Sequence, residues 1–159
     1  MNTVNLLLGN SDRRINNLLE IAVRDVCYNL AVVNCYQTSR VDELLRLGSS
    51  RRFGLIFIAP QHLKPEPSRR PQVVSMGEVL QTIRILRARC TTPMIAVAVT
   101  EEEELGLLEA GAENTFPLFF NVDLLKAEVR RVLRFPELKP DQTESEGGLI
   151  ESFLRRFRS

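Results

Sequence analysis

The 159-residue chain is poor in the residue types on which many enzymes depend: it has one histidine, His62, three cysteines and no tryptophan. A lone histidine argues against a histidine-based zinc site and against a Ser/His/Asp triad. Cys27, Cys35 and Cys90 are far apart, odd in number and embedded in apolar patterns, which predicts buried reduced thiols rather than a disulfide or a metal cluster. Much hydrolytic chemistry is thereby excluded.

Long hydrophobic runs are also missing. No apolar segment approaches the roughly 18 residues of a membrane span. The start, MNTVNLLLGN, lacks the basic first residues and long apolar centre of a signal peptide. With 44% hydrophobic and 26% charged residues and no low-complexity tract, the composition is typical of a globular domain. We expect a cytoplasmic protein.

The net charge of +1 gives no field strong enough for non-specific nucleic-acid binding. Binding through the adjacent arginine pairs is a further hypothesis, but no recognition helix is apparent. We therefore expect no specific nucleic-acid partner.

Apolar segments of strand length alternate with helical patterns along residues 1–135. The predicted strands are Val4–Leu8, Leu30–Cys35, Phe53–Ala59, Met94–Val99 and Thr115–Phe120. The predicted helix caps are Asp12, Ser39, Ser75, Thr100 and Asn121. The second helix is expected to stop at Gly48, and the fourth to direct Leu105, Leu108 and Ala112 inward. This order predicts a doubly wound α/β fold with a five-stranded parallel sheet and five helices, in which every β-to-α loop lies at one edge of the sheet.

Four segments carry a resemblance to a known family: LLLGNSDRR (6–14), GLIFIAP (54–60), IRILRARCTTPMIAVAV (83–99) and EAGAENTFPLFF (109–120). With them, residues 1–135 resemble the receiver domain of bacterial two-component response regulators. The resemblance implies a flavodoxin-like sheet with strand order 2-1-3-4-5. It also implies a site where Mg²⁺, held by two acids, assists phosphoryl transfer from a histidine kinase to an aspartate.

The chemical positions of that family carry other residues in this chain. Gly9 and Asn10 stand where the family has its acidic pair, and Ala59 stands at the phosphoacceptor position. Ala98 replaces the hydroxyl residue and Leu118 the lysine. The resemblance therefore indicates a pseudo-receiver that is not phosphorylated and has no specific Mg²⁺ site. On this basis we expect no metal, no cofactor and no enzymatic activity.

Without that chemistry, the first hypothesis is a signalling or scaffold module that acts through contacts with a protein partner, a second copy of the chain included. The face formed by the fourth helix, the fifth strand and the fifth helix is the expected contact surface. Its apolar residues are Leu105, Phe116, Leu118, Phe119 and Phe120.

The end of the chain supplies a second expected surface. Residues 136–148 read as a polar linker, and residues 149–159 (LIESFLRRFRS) as an amphipathic helix too short to be stable alone. The apolar side of that helix consists of Leu149, Ile150, Phe153, Leu154 and Phe157. Its own domain, a second copy, another protein and an anionic membrane surface remain open as its binding site.

An alternative hypothesis places a small anion or a nucleotide at the turn Gly9-Asn10-Ser11, where backbone amides at a helix start are donors. No Gly-rich phosphate loop supports it. The proline-rich connection 60–75 borders the same edge, and its role stays open.

Overall fold

The computed structural model describes residues 2–68 and 73–135. The strands are β1 (Asn2–Gly9), β2 (Ala31–Thr38), β3 (Leu55–Ile58), β4 (Met94–Val97) and β5 (Asn114–Phe116). The helices are α1 (Arg13–Val26), α2 (Val41–Ser50), α3 (Met76–Arg89), α4 (Glu101–Ala110) and α5 (Val122–Val132). A short 3₁₀ turn, Pro60–His62, follows β3.

The strands form one parallel sheet in the order β2-β1-β3-β4-β5, which confirms the predicted doubly wound α/β topology. Strands β3 and β4 are continuously apolar because helices cover both of their faces, and all four residues of each are buried. In β1 the unbroken apolar run is confined to Leu6–Leu8. The parallel strands bring the β-to-α loops to one edge, called here the carboxyl edge.

Two hydrophobic cores lie on opposite faces of the sheet. One packs α1 and α5 against the sheet, with Leu6, Leu8 and Phe57 pointing towards them. The other packs α2, α3 and α4 against the opposite face, with Leu7 and Ile56 among its buried residues. Successive side chains of β1 and β3 therefore point into the two cores in turn, as expected for strands, whose side chains repeat every two residues.

Four of the five predicted helix caps are confirmed. The side chains of Asp12, Ser75, Thr100 and Asn121 accept hydrogen bonds from backbone N–H groups in the first turns of α1, α3, α4 and α5. The capping box at Ser39 is wrong, because α2 begins after Arg40, which makes no side-chain cap bond.

The predicted stop of α2 at Gly48 is also wrong, since the helix continues to Ser50. Gly48 is buried, and a Cβ at this position would lie 2.6 Å from a methyl group of Leu86 in α3. The glycine therefore serves the close approach of α2 and α3 rather than a helix end.

Helix α4 differs most from its prediction. Leu105 and Leu108 point outward, with exposed fractions of 64% and 39%. The buried residues of α4 are Leu107 and Ala110; Ala112, which follows the helix, is buried as predicted.

A largely buried ion pair joins α1 and α5, the two helices on the face of the sheet opposite to α4. Nζ of Lys126 in α5 lies 2.9 Å from Oδ2 of Asp25 in α1, and the side chains of the two residues are 3% and 24% exposed. The pair offsets part of the cost of burying the ammonium group.

Candidate functional site

The backbone brings the predicted site positions together at the carboxyl edge. Ala59 N–H donates to the Gly9 carbonyl at 3.0 Å, and Asn10 N–H donates to the Thr38 carbonyl at 2.9 Å. One strand further along, Ala98 N–H donates to the Phe116 carbonyl at 2.9 Å. Together with the pairing of Ile58 and Ala96, these bonds bring the ends of all five strands to one edge, where Ala59 and Ala98 directly follow β3 and β4.

The space beside Gly9 is occupied by a leucine. A Cβ at position 9 would lie 3.0 and 3.2 Å from the two methyl groups of Leu44 and 3.4 Å from the Phe57 carbonyl oxygen. Leu44 comes from α2 and is fully buried. The first position of the expected acidic pair is therefore closed by hydrophobic packing, and a side chain larger than hydrogen does not fit without moving Leu44.

Asn10 belongs to a local polar network. Its Oδ1 accepts from Asp12 N–H at 2.9 Å, and its Nδ2 donates to the Asp12 carbonyl at 3.3 Å. Asn16 Nδ2 donates to the Asn10 carbonyl at 2.9 Å from within α1. The network orders the turn from β1 into α1 and uses both polar atoms of the Asn10 side chain.

Asp12 is the only carboxylate in this turn, and it is bound to the helix. Its Oδ1 accepts from Arg14 N–H at 2.9 Å and from Ile15 N–H at 3.4 Å. Its Oδ2 lies 3.9 Å from His62 Nε2. The negative charge at the start of α1 is stabilised by the helix dipole, so this carboxylate has a structural role.

The connection after β3 folds back over the edge. The hydroxyl and the N–H of Ser11 both donate to the His62 carbonyl. On the other side, Gln61 Nε2 donates to the Val97 carbonyl at 3.2 Å and to Glu103 Oε1 at 2.8 Å. The 3₁₀ turn thereby ties the loop after β1 to the end of β4 and the first turn of α4.

Beside this turn lies a cleft of about 280 Å³. Six of its eight lining residues are apolar, and Gln61 and Glu103 supply polar groups to the walls. The lining residues are Pro60, Gln61, Leu63, Val73, Val74, Met76, Val79 and Glu103.

The cysteines offer no activated nucleophile. The three thiols are free, with Cys27 buried and Cys35 and Cys90 half-buried, so the prediction of burial holds fully only for Cys27. Burial raises the pKa of Cys27 from 9.0 to about 11. Burial, together with Glu20, raises the pKa of Cys35 to about 11. Both groups are therefore neutral thiols near pH 7.

Within residues 2–68 and 73–135, no three His, Cys, Asp or Glu side chains are grouped so that they could hold a metal ion. In the same residues, no helix is long and apolar enough to cross a bilayer. The residues present do not fit Mg²⁺, which prefers several carboxylate and water oxygens in octahedral geometry.

The predicted contact residues fall into two groups. Leu105 is exposed on α4, and Phe119 is 93% exposed in the connection between β5 and α5. Phe116 is buried in β5, while Leu118 and Phe120 pack against the core on the α1 and α5 side. We therefore leave Phe116 out of the contact surface. The predicted contact residues of the tail, Leu149, Ile150, Phe153, Leu154 and Phe157, lie outside the described residues.

The expectation of a strand over Thr115–Phe120 is wrong in length, since β5 ends at Phe116. Pro117 follows directly and has no N–H to continue the ladder. The apolar residues after it therefore belong to the loop between β5 and α5 rather than to the strand.

The outer side of α4 combines leucines with acids. Leu105 and Leu108 are neighbours at i and i+3 on the helix surface, and glutamates stand three or four positions from each of them. We call this set the α4 face: Glu101, Glu102, Glu104, Leu105, Leu108 and Glu109. In the described part of the chain, none of its four carboxylates takes part in an ion pair or a side-chain hydrogen bond.

Helix α4 is held at both ends. At its start, Glu103 accepts the bond from Gln61. At its end, Arg87 of α3 donates from Nε and Nη2 to the Gly111 carbonyl, at 3.2 and 2.9 Å. Gly111 has φ of 128°, and a Cβ there would lie 3.0 Å from the Arg87 side chain. A residue other than glycine would disturb both the backbone and this contact.

Sequence reasoning missed Leu44, Gln61 and Asn16 as residues of the carboxyl edge. The helical spacing of Leu44 indicates burial but not which strand it covers. No motif marks Gln61 or Asn16.

Comparison with solved structures identifies the fold. A two-component response regulator from Clostridium difficile superposes with a TM-score of 0.62 at 16% identity, covering 83% of this chain and 97% of that chain. The receiver domain of sensor histidine kinase PA1611 from Pseudomonas aeruginosa, with magnesium coordinated in its active-site cleft, gives a TM-score of 0.62 at 15% identity and covers 83% and 98%.

A third similar structure is described as a putative CpaE2 pilus assembly protein from Sinorhizobium meliloti. Its TM-score is 0.59 at 15% identity, and the match covers 81% of this chain and 99% of that chain. Comparison of the sequence with protein-family models gives no match, and comparison with curated proteins gives none either. The chain thus has the flavodoxin-like fold of response regulator receiver domains.

Proposed function

We propose that this chain is a receiver-like module that takes no phosphoryl group and acts through protein contacts. One observation carries the proposal: at the carboxyl edge, the acceptor position is Ala59 and the neighbouring position, Gly9, is packed against Leu44. An alanine has no nucleophilic atom, and a side chain at position 9 would have to displace the methyl groups of the buried Leu44.

The remaining polar groups of the edge support the same conclusion. The side chains of Asn10, Asp12 and Ser11 already bond to the backbone of the two loops. Phosphoryl transfer needs a divalent cation and fixed positive charge at the transferring group. Leu118, which stands at the position of the family's lysine, packs into the core instead.

A contact role is supported by exposed apolar residues that stand beside charged ones, although exposed apolar residues also occur on other elements, such as Leu18 and Ile21 of α1. Leu105, Leu108 and Phe119 are exposed on α4 and in the β5–α5 connection. Clustered apolar side chains ringed by charges are typical of protein-binding surfaces. The similar chain described as a pilus assembly protein indicates that this fold is also found under a description other than response regulator.

Incubation of the full chain with acetyl phosphate and Mg²⁺, followed by intact mass measurement, tests the proposal. We expect the mass to remain that of the unmodified chain. A receiver domain with its complete set of acids, treated in parallel, is the positive control. An adduct of one phosphoryl group, mapped to an aspartate of this chain, would refute the proposal.

The geometry gives the alternative of anion binding at Gly9-Asn10-Ser11 no support. The first amides of α1 donate to the Asp12 carboxylate, which occupies the place and the charge that an anion would need. We therefore advance no second function.

A further inference from the structure

The α4 face differs in charge from every other helix surface of the domain. Helix α4 contains five glutamates and no basic residue. Each of the other four α-helices carries at least one arginine. The exposed leucines of the α4 face therefore form an apolar strip within an acidic surface, and the ligand that matches it is apolar and basic.

The chain contains a segment with that chemistry. Residues 149–159 combine five large apolar residues with Arg155, Arg156 and Arg158 and a single acid, Glu151. In a helix, where successive residues are rotated by about 100°, the apolar residues would share one side. Arg156 and Arg158 would lie at the two edges of that side, and Arg155 would point away from it.

The length of the linker suits binding to the same domain. Helices α4 and α5 each run back from the carboxyl edge, so residue 135 and the end of α4 lie at the same end of the domain. The 13 residues from 136 to 148 span up to about 43 Å when extended. The radius of gyration of a domain of this size is only about 14 Å.

A tether of this length also favours the chain's own tail over that of a second molecule. A short flexible linker gives an effective concentration on the order of millimolar, well above the concentration of a second copy in dilute solution. The eleven-residue segment is too short to be a stable free helix, and binding would supply the missing stabilisation.

We propose that residues 149–159 bind the α4 face of their own domain, with the apolar side against Leu105 and Leu108 and Arg156 and Arg158 beside the glutamates. This inference rests on the proposed contact function, because it names the segment that occupies part of the contact surface. A partner protein then gains this surface only by displacing the tail.

Hydrogen–deuterium exchange of the full chain, read by mass spectrometry on peptides covering residues 149–159, tests the proposal. We expect amides of the tail to exchange at least tenfold more slowly than an unstructured reference peptide. Arg156→Glu should remove this protection. Arg155→Glu is the matched control, since the same charge change on the opposite side of the helix should leave most of the protection in place.

Variants of the α4 face provide the second arm. Glu102→Lys combined with Glu109→Lys should abolish tail protection, and adding Arg156→Glu and Arg158→Glu should restore it. Leu105→Ser should also abolish it. Because these positions are exposed, the thermal midpoint of the domain should change little, which separates loss of docking from unfolding.

Several outcomes would overturn the inference: a tail that exchanges at the unstructured rate, equal effects of Arg155→Glu and Arg156→Glu, or protection that appears only as protein concentration rises or when anionic vesicles are added. Protection that depends on protein concentration would assign the tail to a second copy, and protection that depends on vesicles would assign it to a membrane surface. An unprotected tail without a phosphoryl adduct refutes the docking alone, whereas an adduct refutes the proposed function whatever the exchange shows.

Discussion

Replacing Gly9 with aspartate tests whether this carboxyl edge can accept an acid. The new side chain would begin with a Cβ at 3.0 Å from a methyl group of Leu44, a residue that is fully buried. Overpacking of a core site costs roughly 1–3 kcal/mol. The carboxylate would also stand near the Phe57 carbonyl oxygen, an acceptor that offers it no hydrogen bond.

A buried polar group without a partner costs a further 1–3 kcal/mol or so. We therefore expect Gly9→Asp to lower the free energy of unfolding by about 4 kcal/mol, the sum of these two central values. With a urea dependence of about 2 kcal/mol per molar, the midpoint of unfolding should fall by about 2 M. Far-UV circular dichroism in urea, with and without Mg²⁺, measures this, and we expect Mg²⁺ to leave the midpoint unchanged.

Two controls isolate the role of Leu44. Gly9→Ala adds the Cβ alone and should cost about 1 kcal/mol or less, since a leucine methyl group can move by a few tenths of an ångström. Leu44→Ala destabilises the domain by itself, but it should reduce the additional cost of Gly9→Asp by about 1–3 kcal/mol. A Gly9→Asp variant that unfolds at the wild-type urea concentration would show that the edge is not closed by packing.

Two further predictions concern buried groups. Asp25→Ala should destabilise the domain by about 3 kcal/mol, because the buried Lys126 ammonium loses its carboxylate partner. Arg46→Ala, which removes an exposed i,i+3 pair with Glu43, should cost about 0.5 kcal/mol or less in the same urea titration; equal losses would contradict this. Because burial raises the pKa of Cys27 from 9.0 to about 11, alkylation by iodoacetamide at pH 8 should be about 100-fold slower than that of an ordinary thiol and should rise about tenfold per pH unit. As the pH rises past 9, the Cys27 thiol ionises in the unfolded chain before it ionises in the folded domain. The free energy of unfolding should therefore fall as the pH rises from about 9 to about 11. Rapid labelling of Cys27 at neutral pH would contradict the raised pKa.

The fold was predictable because its central strands are covered on both faces. Such strands read as unbroken apolar runs, and the runs at β1, β3 and β4 alternate with helices whose caps are recognisable side chains. Parallel topology and the position of the β-to-α loops follow from that alternation. The positions of Ala59 and Ala98 came instead from the resemblance to receiver domains.

The side-chain packing around the carboxyl edge and on α4 was not predictable from the sequence. Leu44 is one of several apolar residues on α2, and only the packing of α2 on the sheet brings it beside Gly9. The error at α4 has a related cause. Leu105, Leu107 and Leu108 lie on several sides of one short helix, so spacing does not tell which of them is buried.

The two anchors of α4 determine how its outer surface behaves. Gln61 holds the first turn, and Arg87 holds the last through the Gly111 carbonyl. A sliding or tilting motion of the helix would have to break both attachments at once. We therefore expect the α4 face to keep one shape, so that binding to it would depend on competition for access rather than on a rearrangement of the helix.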